Sequence, residues 1–100
     1  MIGQLEQLRD LAHRYLNTDL DRITARQISQ DIAIIQGITN EIEDIDGLQV
    51  ICQLLTSLTS HLSLSVAHGY ALDEVPRSLA FYENMIDSER IMKQIVKAME

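Results

Sequence analysis

Apolar residues recur every three or four positions along almost the whole chain, and this spacing is the sequence feature that most restricts the fold. In the first segment, for example, it runs through Leu5, Leu8, Ala12 and Tyr15. An α-helix has about 3.6 residues per turn, so residues with this spacing lie on one face, whereas a half-buried strand alternates apolar and polar residues. Aromatic residues make up only 4% of the chain, and sheets usually recruit more of them. The pattern predicts an all-α protein.

Turn-forming and helix-capping residues divide this pattern into four segments. Asn17-Thr18-Asp19 interrupts it after the first segment, and Asp46-Gly47 is a strong turn signal in the middle. Asp73 suits the start of a last helix, with Pro76 tolerated in its first turn. Short turns between amphipathic helices favour a small antiparallel helical bundle in one domain, 1–100. We predict four helices, at about 2–17, 20–45, 48–67 and 74–99.

The limits of the second helix are less sharply defined than those of the others. Thr24 followed by Gln27 is a possible capping box, so the helix begins somewhere between 19 and 24. Gly37 lies inside the segment, and a glycine weakens a helix interior. We expect one helix through Gly37, because the isoleucine stripe keeps its phase across it. That stripe consists of Ile28, Ile32, Ile35, Ile42 and Ile45, with Ile34 and Ile38 beside it.

The second and third helices carry more apolar or uncharged surface than a lone bundle needs. The second has its wide isoleucine face, and the third is rich in hydroxyl side chains and has Leu64 on its polar side. The fourth helix, by contrast, is conventionally amphipathic, and its expected core stripe includes Leu79, Tyr82 and Ile86. A chain of 100 residues has little interior in which to bury such broad faces. We therefore expect self-association, as a homodimer, or another protein partner, with Ile34, Ile38 and Leu64 on the binding surface.

The charge is distributed very unevenly along the chain. The formal net charge is −7, and none of the 8 lysines and arginines falls between Gln27 and Pro76. The two flanks balance in charge, so this middle stretch carries the whole excess. Its acids are Asp31, Glu41, Glu43, Asp44, Asp46, Asp73 and Glu74. Four of these, Glu41, Glu43, Asp44 and Asp46, surround the predicted Asp46-Gly47 turn.

These carboxylates favour a non-enzymatic protein-binding module: a small regulator, inhibitor, immunity factor or adaptor. Its acidic helical hairpin would steer a partner with a basic surface, and apolar helix faces would complete the contact. A solvated turn that only keeps the protein soluble is a simpler explanation of the same charges. The sequence is also compatible with a self-assembling structural protein and with an acidic inhibitor that mimics DNA, although the acids are sparse for mimicry.

Several function classes have little support in the sequence. The acidic turn lacks the ligand pattern of an EF-hand, and His13, His61 and His68 form no metal motif, so we expect no metal or cofactor. No nucleophile motif or glycine-rich phosphate loop is present, and we expect no catalytic residue and no enzyme.

The expected partner and compartment follow from the charge and the ends of the chain. Few bases and an acidic middle disfavour nucleic acid, and the uncharged stretch from Gly47 to Leu72 is too polar for a membrane span. The N-terminus lacks the basic and apolar regions of a signal peptide, and Cys52 is the only cysteine. We expect a cytoplasmic protein.

Overall fold

The fold consists of four α-helices and one short 3-10 helix within residues 2–68 and 77–100, which are the residues that the computed structural model describes; no strand occurs among them. The helices form a small antiparallel bundle measuring 43 × 21 × 19 Å, so the predicted fold class is confirmed. The elements are α1 (Ile2–Leu16), η1 (the 3-10 helix, Leu20–Arg22), α2 (Ala25–Ile42), α3 (Gln49–His68) and α4 (Leu79–Ala98).

α2 begins at Ala25, so the predicted start at about 20 is wrong: residues 20–22 form the separate η1, and local hydrogen bonds at Thr24 fix the start of α2. Thr24 is the N-cap residue, and its side-chain oxygen accepts a hydrogen bond of 3.1 Å from the Gln27 amide. This bond satisfies one of the amides that a helix start leaves unpaired. At the other end α2 stops at Ile42, three residues before the predicted limit, and Glu43 caps it in an αR conformation.

Gly37 lies inside α2 without interrupting it, as predicted. It is exposed, and a methyl group added to it would meet no atom from another part of the fold within 4 Å. We expect Gly37→Ala to raise the free energy of unfolding by about 0.5–1 kcal/mol, because alanine loses less backbone entropy in a helix. Urea denaturation measures this change.

Gly47 supplies the matched control for that substitution. It has a φ of +89°, in the left-handed region, where a β-carbon costs roughly 1–2 kcal/mol. Gly47→Ala should therefore lower stability while Gly37→Ala raises it. A loss of stability in Gly37→Ala would show that the α2 backbone at this position departs from a regular helix.

The fourth helix begins later than predicted. Ser78 is its N-cap residue, and its hydroxyl accepts a hydrogen bond of 3.2 Å from the Phe81 amide. Residues 77 and 78 are not helical, so the predicted start at about 74 is wrong. The physical reason is that Ser78 caps a helix at Leu79. The predicted roles of Asp73, Glu74 and Pro76 lie outside the described residues.

The face that α4 turns inward also differs from the predicted one. Leu79 and Ile86, expected in the core, are 73% and 58% exposed, while Phe81 is fully buried. The buried stripe of α4 keeps a helical spacing but starts at Phe81. The Phe81 ring packs edge-to-face against Tyr82, with 5.2 Å between ring centroids. The residues on this stripe are Phe81, Met85, Ser88, Ile91, Met92 and Ile95.

Two side chains at the start of α4 hold η1 in place. The Arg77 guanidinium donates hydrogen bonds to the carbonyl oxygens of Leu20 (2.9 Å) and Asp21 (3.1 Å), and it lies 4.7 Å from the centroid of the Phe81 ring. The Tyr82 hydroxyl donates to Asp21 Oδ1 at 2.5 Å, and this hydrogen bond from the neutral hydroxyl raises the pKa of Tyr82. The α1–α2 connection is therefore tied to the start of α4.

The four helices do not contact one another equally. α3 packs most extensively against α4 and next against α2, α4 also packs against α1, and the contact between α1 and α2 is the smallest of these. The interior consists mainly of leucine and isoleucine with Tyr15, Phe81 and two methionines. Because α1 and α2 touch little, an open groove remains between them.

Candidate functional site: the acidic α2–α3 turn

The connection between α2 and α3 is a hydrogen-bonded turn. The Ile45 amide donates to the Ile42 carbonyl (3.1 Å), and the Leu48 amide donates to the Ile45 carbonyl (3.2 Å). Gly47 provides the left-handed residue, and its amide donates to Oε1 of Gln49 at 2.9 Å. These bonds define the backbone on which the acidic side chains are displayed.

All four predicted steering residues, Glu41, Glu43, Asp44 and Asp46, are exposed at this turn. In the part of the chain that the structure describes, none of them forms an ion pair; the two ion pairs found there are Arg14–Asp31 and Arg90–Asp87. Since no lysine or arginine lies between Gln27 and Pro76, the nearest basic residues along the sequence are far away. We call these four residues the acidic turn.

The electrostatic effect of the acidic turn extends to the first turns of α3. Burial raises the pKa of the half-buried Cys52 thiol, and the negative charge of Glu43 raises it further. A raised pKa keeps the thiol protonated and poorly nucleophilic. It also places Glu43 close to α3.

The predicted apolar binding residues do not share one surface. Leu64 is 44% exposed and Ile34 is half-buried, but Ile38 is only 3% exposed and belongs to the core. The placement of Ile38 on a binding surface is therefore wrong for this bundle. The reason is its spacing: Ile38 lies three residues after Ile35 and four before Ile42, so it shares the buried face of α2 with them.

Asp31 lies in the interior, although its position in the acidic middle of the sequence groups it with the surface charge. Its side chain is 4% exposed, and its Oδ2 atom accepts hydrogen bonds from the Tyr15 hydroxyl (2.5 Å) and from Arg14 (2.6 Å). Burial and the bond to Asp31 both raise the pKa of Tyr15. The sequence does carry a signal for this burial: Asp31 is three residues after Ile28 and four before Ile35, on the buried stripe.

The described part of the chain has at least three open grooves. One, of about 500 Å³, lies between α1 and α2 beside the Arg14–Asp31 pair and includes Glu6 and Asp10. A second, of about 240 Å³, lies on the surface between α2 and α3. The third, of about 350 Å³, lies where α1 and α3 begin and α4 ends. The second groove is lined by uncharged polar side chains, namely Gln36, Thr39, Asn40, Thr56, Thr59 and Ser60.

Large exposed apolar side chains are restricted to α3 and α4 within residues 3–67 and 77–100. They are Val50 (62%), Leu64 (44%), Leu79 (73%) and Ile86 (58%). Leu79 and Ile86 are seven residues apart, so they share the outer face of α4. Scattered exposed apolar residues are common on proteins, but a pair on one helix face offers a small contact area.

The described residues contain no group of three or more histidine, cysteine, aspartate or glutamate side chains placed to hold a metal ion. His13 is exposed, and Nδ1 of His61 lies 3.4 Å from Oδ1 of Asn84. One segment, Gln49–Ala67 in α3, is long and apolar enough to cross a membrane by length and composition, with a mean hydropathy of 1.4. Of this segment 28% is buried in the bundle, and its buried residues pack against α2 and α4. By length and composition it meets the criterion that we expected it to miss.

No protein-family model matches this sequence, and comparisons with curated proteins and with solved structures find no similar protein.

Proposed function

We propose that this chain is a non-enzymatic protein-binding module that docks through the acidic turn onto a protein with a basic surface. The observation that carries the proposal is the clustering of four exposed carboxylates at one connection between helices. Asp31 and Asp87 are paired with arginines, whereas the four carboxylates of the acidic turn are exposed and form no ion pair in the described residues. Clustered charge of one sign attracts a partner of the opposite sign and speeds its association.

The proposal covers regulators, inhibitors, immunity factors and adaptors acting in the cytoplasm. DNA mimicry has less support, because mimicry needs acids spread over one face. Here Asp31 is buried, and four of the acids are confined to a single turn.

A charge-reversal comparison tests this proposal. Immobilised wild-type protein and the Glu43→Lys/Asp44→Lys variant are exposed to lysate of the source organism, and captured proteins are compared by mass spectrometry. We expect the wild type to capture a basic protein that the variant loses by at least about tenfold, since reversing two of the four charges leaves the turn with no net charge and removes the attraction.

The matched control changes the same total charge elsewhere. Asp10→Lys/Glu83→Lys alters two exposed acids outside the turn and should keep the captured protein. Equal capture by all three proteins would rule out the acidic turn as the docking surface.

Self-association is the second candidate, and the exposed apolar residues of α3 and α4 favour it. A homodimer formed through Leu79 and Ile86 would bury side chains that are 73% and 58% exposed in the single chain. Sedimentation equilibrium distinguishes the two: a tight dimer that is insensitive to salt and is lost in Leu79→Ser/Ile86→Ser supports self-assembly. A monomer supports the protein-binding module.

A further inference from the structure

The third groove lies beside the acidic turn, and we call it the turn groove. Its volume is about 350 Å³, at the lower end of the roughly 300–1,000 Å³ that ligand pockets span. The first turns of α1 and α3 and the end of α4 form it. The lining residues are Leu5, Glu6, Arg9, Leu48, Ile51, Ala98 and Met99.

The apolar lining of the turn groove is continuous with the protein core. Ile51 is 5% exposed and belongs to the core, while Leu5, Leu48 and Met99 are half-buried and pack against it. Water in the groove therefore contacts apolar side chains that no residue of the described bundle covers completely. An apolar side chain that entered the groove would remove this surface from water, which is favourable in proportion to the area buried.

The acidic turn supplies the charge next to this groove. Leu48 follows Asp46 by two residues, and Glu43 is close enough to α3 to raise the pKa of Cys52, the neighbour of Ile51 in sequence. Glu6 lines the groove directly. Two bases also lie at or next to the groove: Arg9 lines it, and Lys97 immediately precedes the lining residue Ala98. The lining itself has one acid and one base, so the excess of acids comes from the acidic turn that leads into Leu48.

We infer that the turn groove receives one apolar side chain of a basic protein segment, with lysines or arginines of that segment placed against the acidic turn. The inference rests on the proposed function, because it names the kind of segment that the acidic turn attracts. Charge complementarity selects a basic segment, and the apolar groove selects a large aliphatic or aromatic residue within it. The acidic turn then governs the rate of association, and the groove governs how long the complex lasts.

Three synthetic peptides test this assignment with assigned methyl NMR spectra of the full chain at low salt. The first has lysines on both sides of a central leucine, the second has serine in place of the leucine, and the third keeps the leucine but has glutamines in place of the lysines. We expect the first to bind about tenfold more tightly than the second, as the burial of one leucine side chain allows. It should shift the methyl signals of Leu5, Leu48, Ile51 and Met99.

Replacing either of two alanines by phenylalanine tests whether the leucine of the first peptide binds in the groove. Ala98 is exposed and lines the groove, so Ala98→Phe fills the groove from its rim, and Ala33→Phe makes the same change at an exposed position on α2. Ala98→Phe should abolish the preference for leucine over serine, and Ala33→Phe should keep it. Circular dichroism of both variants shows whether the bundle is intact.

The remaining outcomes contradict the inference in distinguishable ways. Equal binding of the leucine and serine peptides, with shifts confined to the acidic turn, would overturn the groove assignment and leave the proposed function standing. Equal binding of the lysine and glutamine peptides would overturn both. Groove signals that move with protein concentration in the absence of peptide would identify a second copy of this chain as the occupant, and no binding of any peptide would also overturn the inference.

Discussion

Truncation of Ile38 to alanine should lower the free energy of unfolding by about 3 kcal/mol, the middle of the range for isoleucine-to-alanine changes at buried sites. Ile38 is 3% exposed and packs in the core between Ile35 and Ile42 of the same helix face. The substitution removes buried methyl groups and leaves a cavity that a helix bundle of this size fills only in part. Denaturation in guanidinium chloride measures the loss.

Ile34→Ala provides the control for this prediction, because it makes the same chemical change in the same helix. Ile34 is half-buried on the rim of the α1–α2 groove, so its truncation should cost only about 1 kcal/mol. Both variants gain the same helix propensity, and that gain cancels in the comparison. Equal losses at the two positions would contradict the inward orientation of Ile38.

Asp31→Ala should cost about 2–3 kcal/mol, because it leaves the buried Tyr15 hydroxyl without an acceptor and breaks the pair with Arg14. Arg14 is half-exposed, so its guanidinium can hydrogen-bond to water once the pair is broken, and this limits the loss of stability. These hydrogen bonds also join α1 to α2, whose contact is otherwise small, so their loss weakens the packing of the two helices. Chemical denaturation monitored by circular dichroism measures the change.

Two further variants separate the buried network from an ordinary ion pair. Asp87→Ala breaks the exposed Asp87–Arg90 pair and should change stability by less than about 0.5 kcal/mol. Adding Tyr15→Phe to Asp31→Ala removes the unpaired hydroxyl and should recover about 1 kcal/mol. Losses of equal size for Asp31→Ala and Asp87→Ala would show that Asp31 is not buried in solution.

Features that depend on neighbouring residues could be predicted from the sequence. Thr24 caps α2, and Gly47 adopts the left-handed conformation at the turn, because hydrogen bonds and steric limits within a few residues determine both. The exposure of the four turn acids is predictable for a similar reason, since a short charged connection has nowhere to be buried. The fold class depends on a spacing repeated along the whole chain.

Features that depend on distant elements could not be predicted in the same way. The spacing along α2 indicates that Asp31 is buried, but its partners, Tyr15 and Arg14, lie on α1 and no local pattern identifies them. The inward face of α4 likewise depends on Phe81. Its ring packs against the Arg77 guanidinium, which donates a hydrogen bond to the Leu20 carbonyl of η1. The turn groove combines residues from both ends of the chain and from its middle, so no local pattern indicates it.

The most direct test of the proposed function is the salt dependence of the association rate between this protein and the basic protein that it captures. Stopped-flow or surface-based kinetics should show a rate that falls at least about tenfold between low and high salt for the wild type and for Asp10→Lys/Glu83→Lys. In Glu43→Lys/Asp44→Lys the rate should be slow and nearly independent of salt. A steep salt dependence retained in Glu43→Lys/Asp44→Lys would contradict docking through the acidic turn.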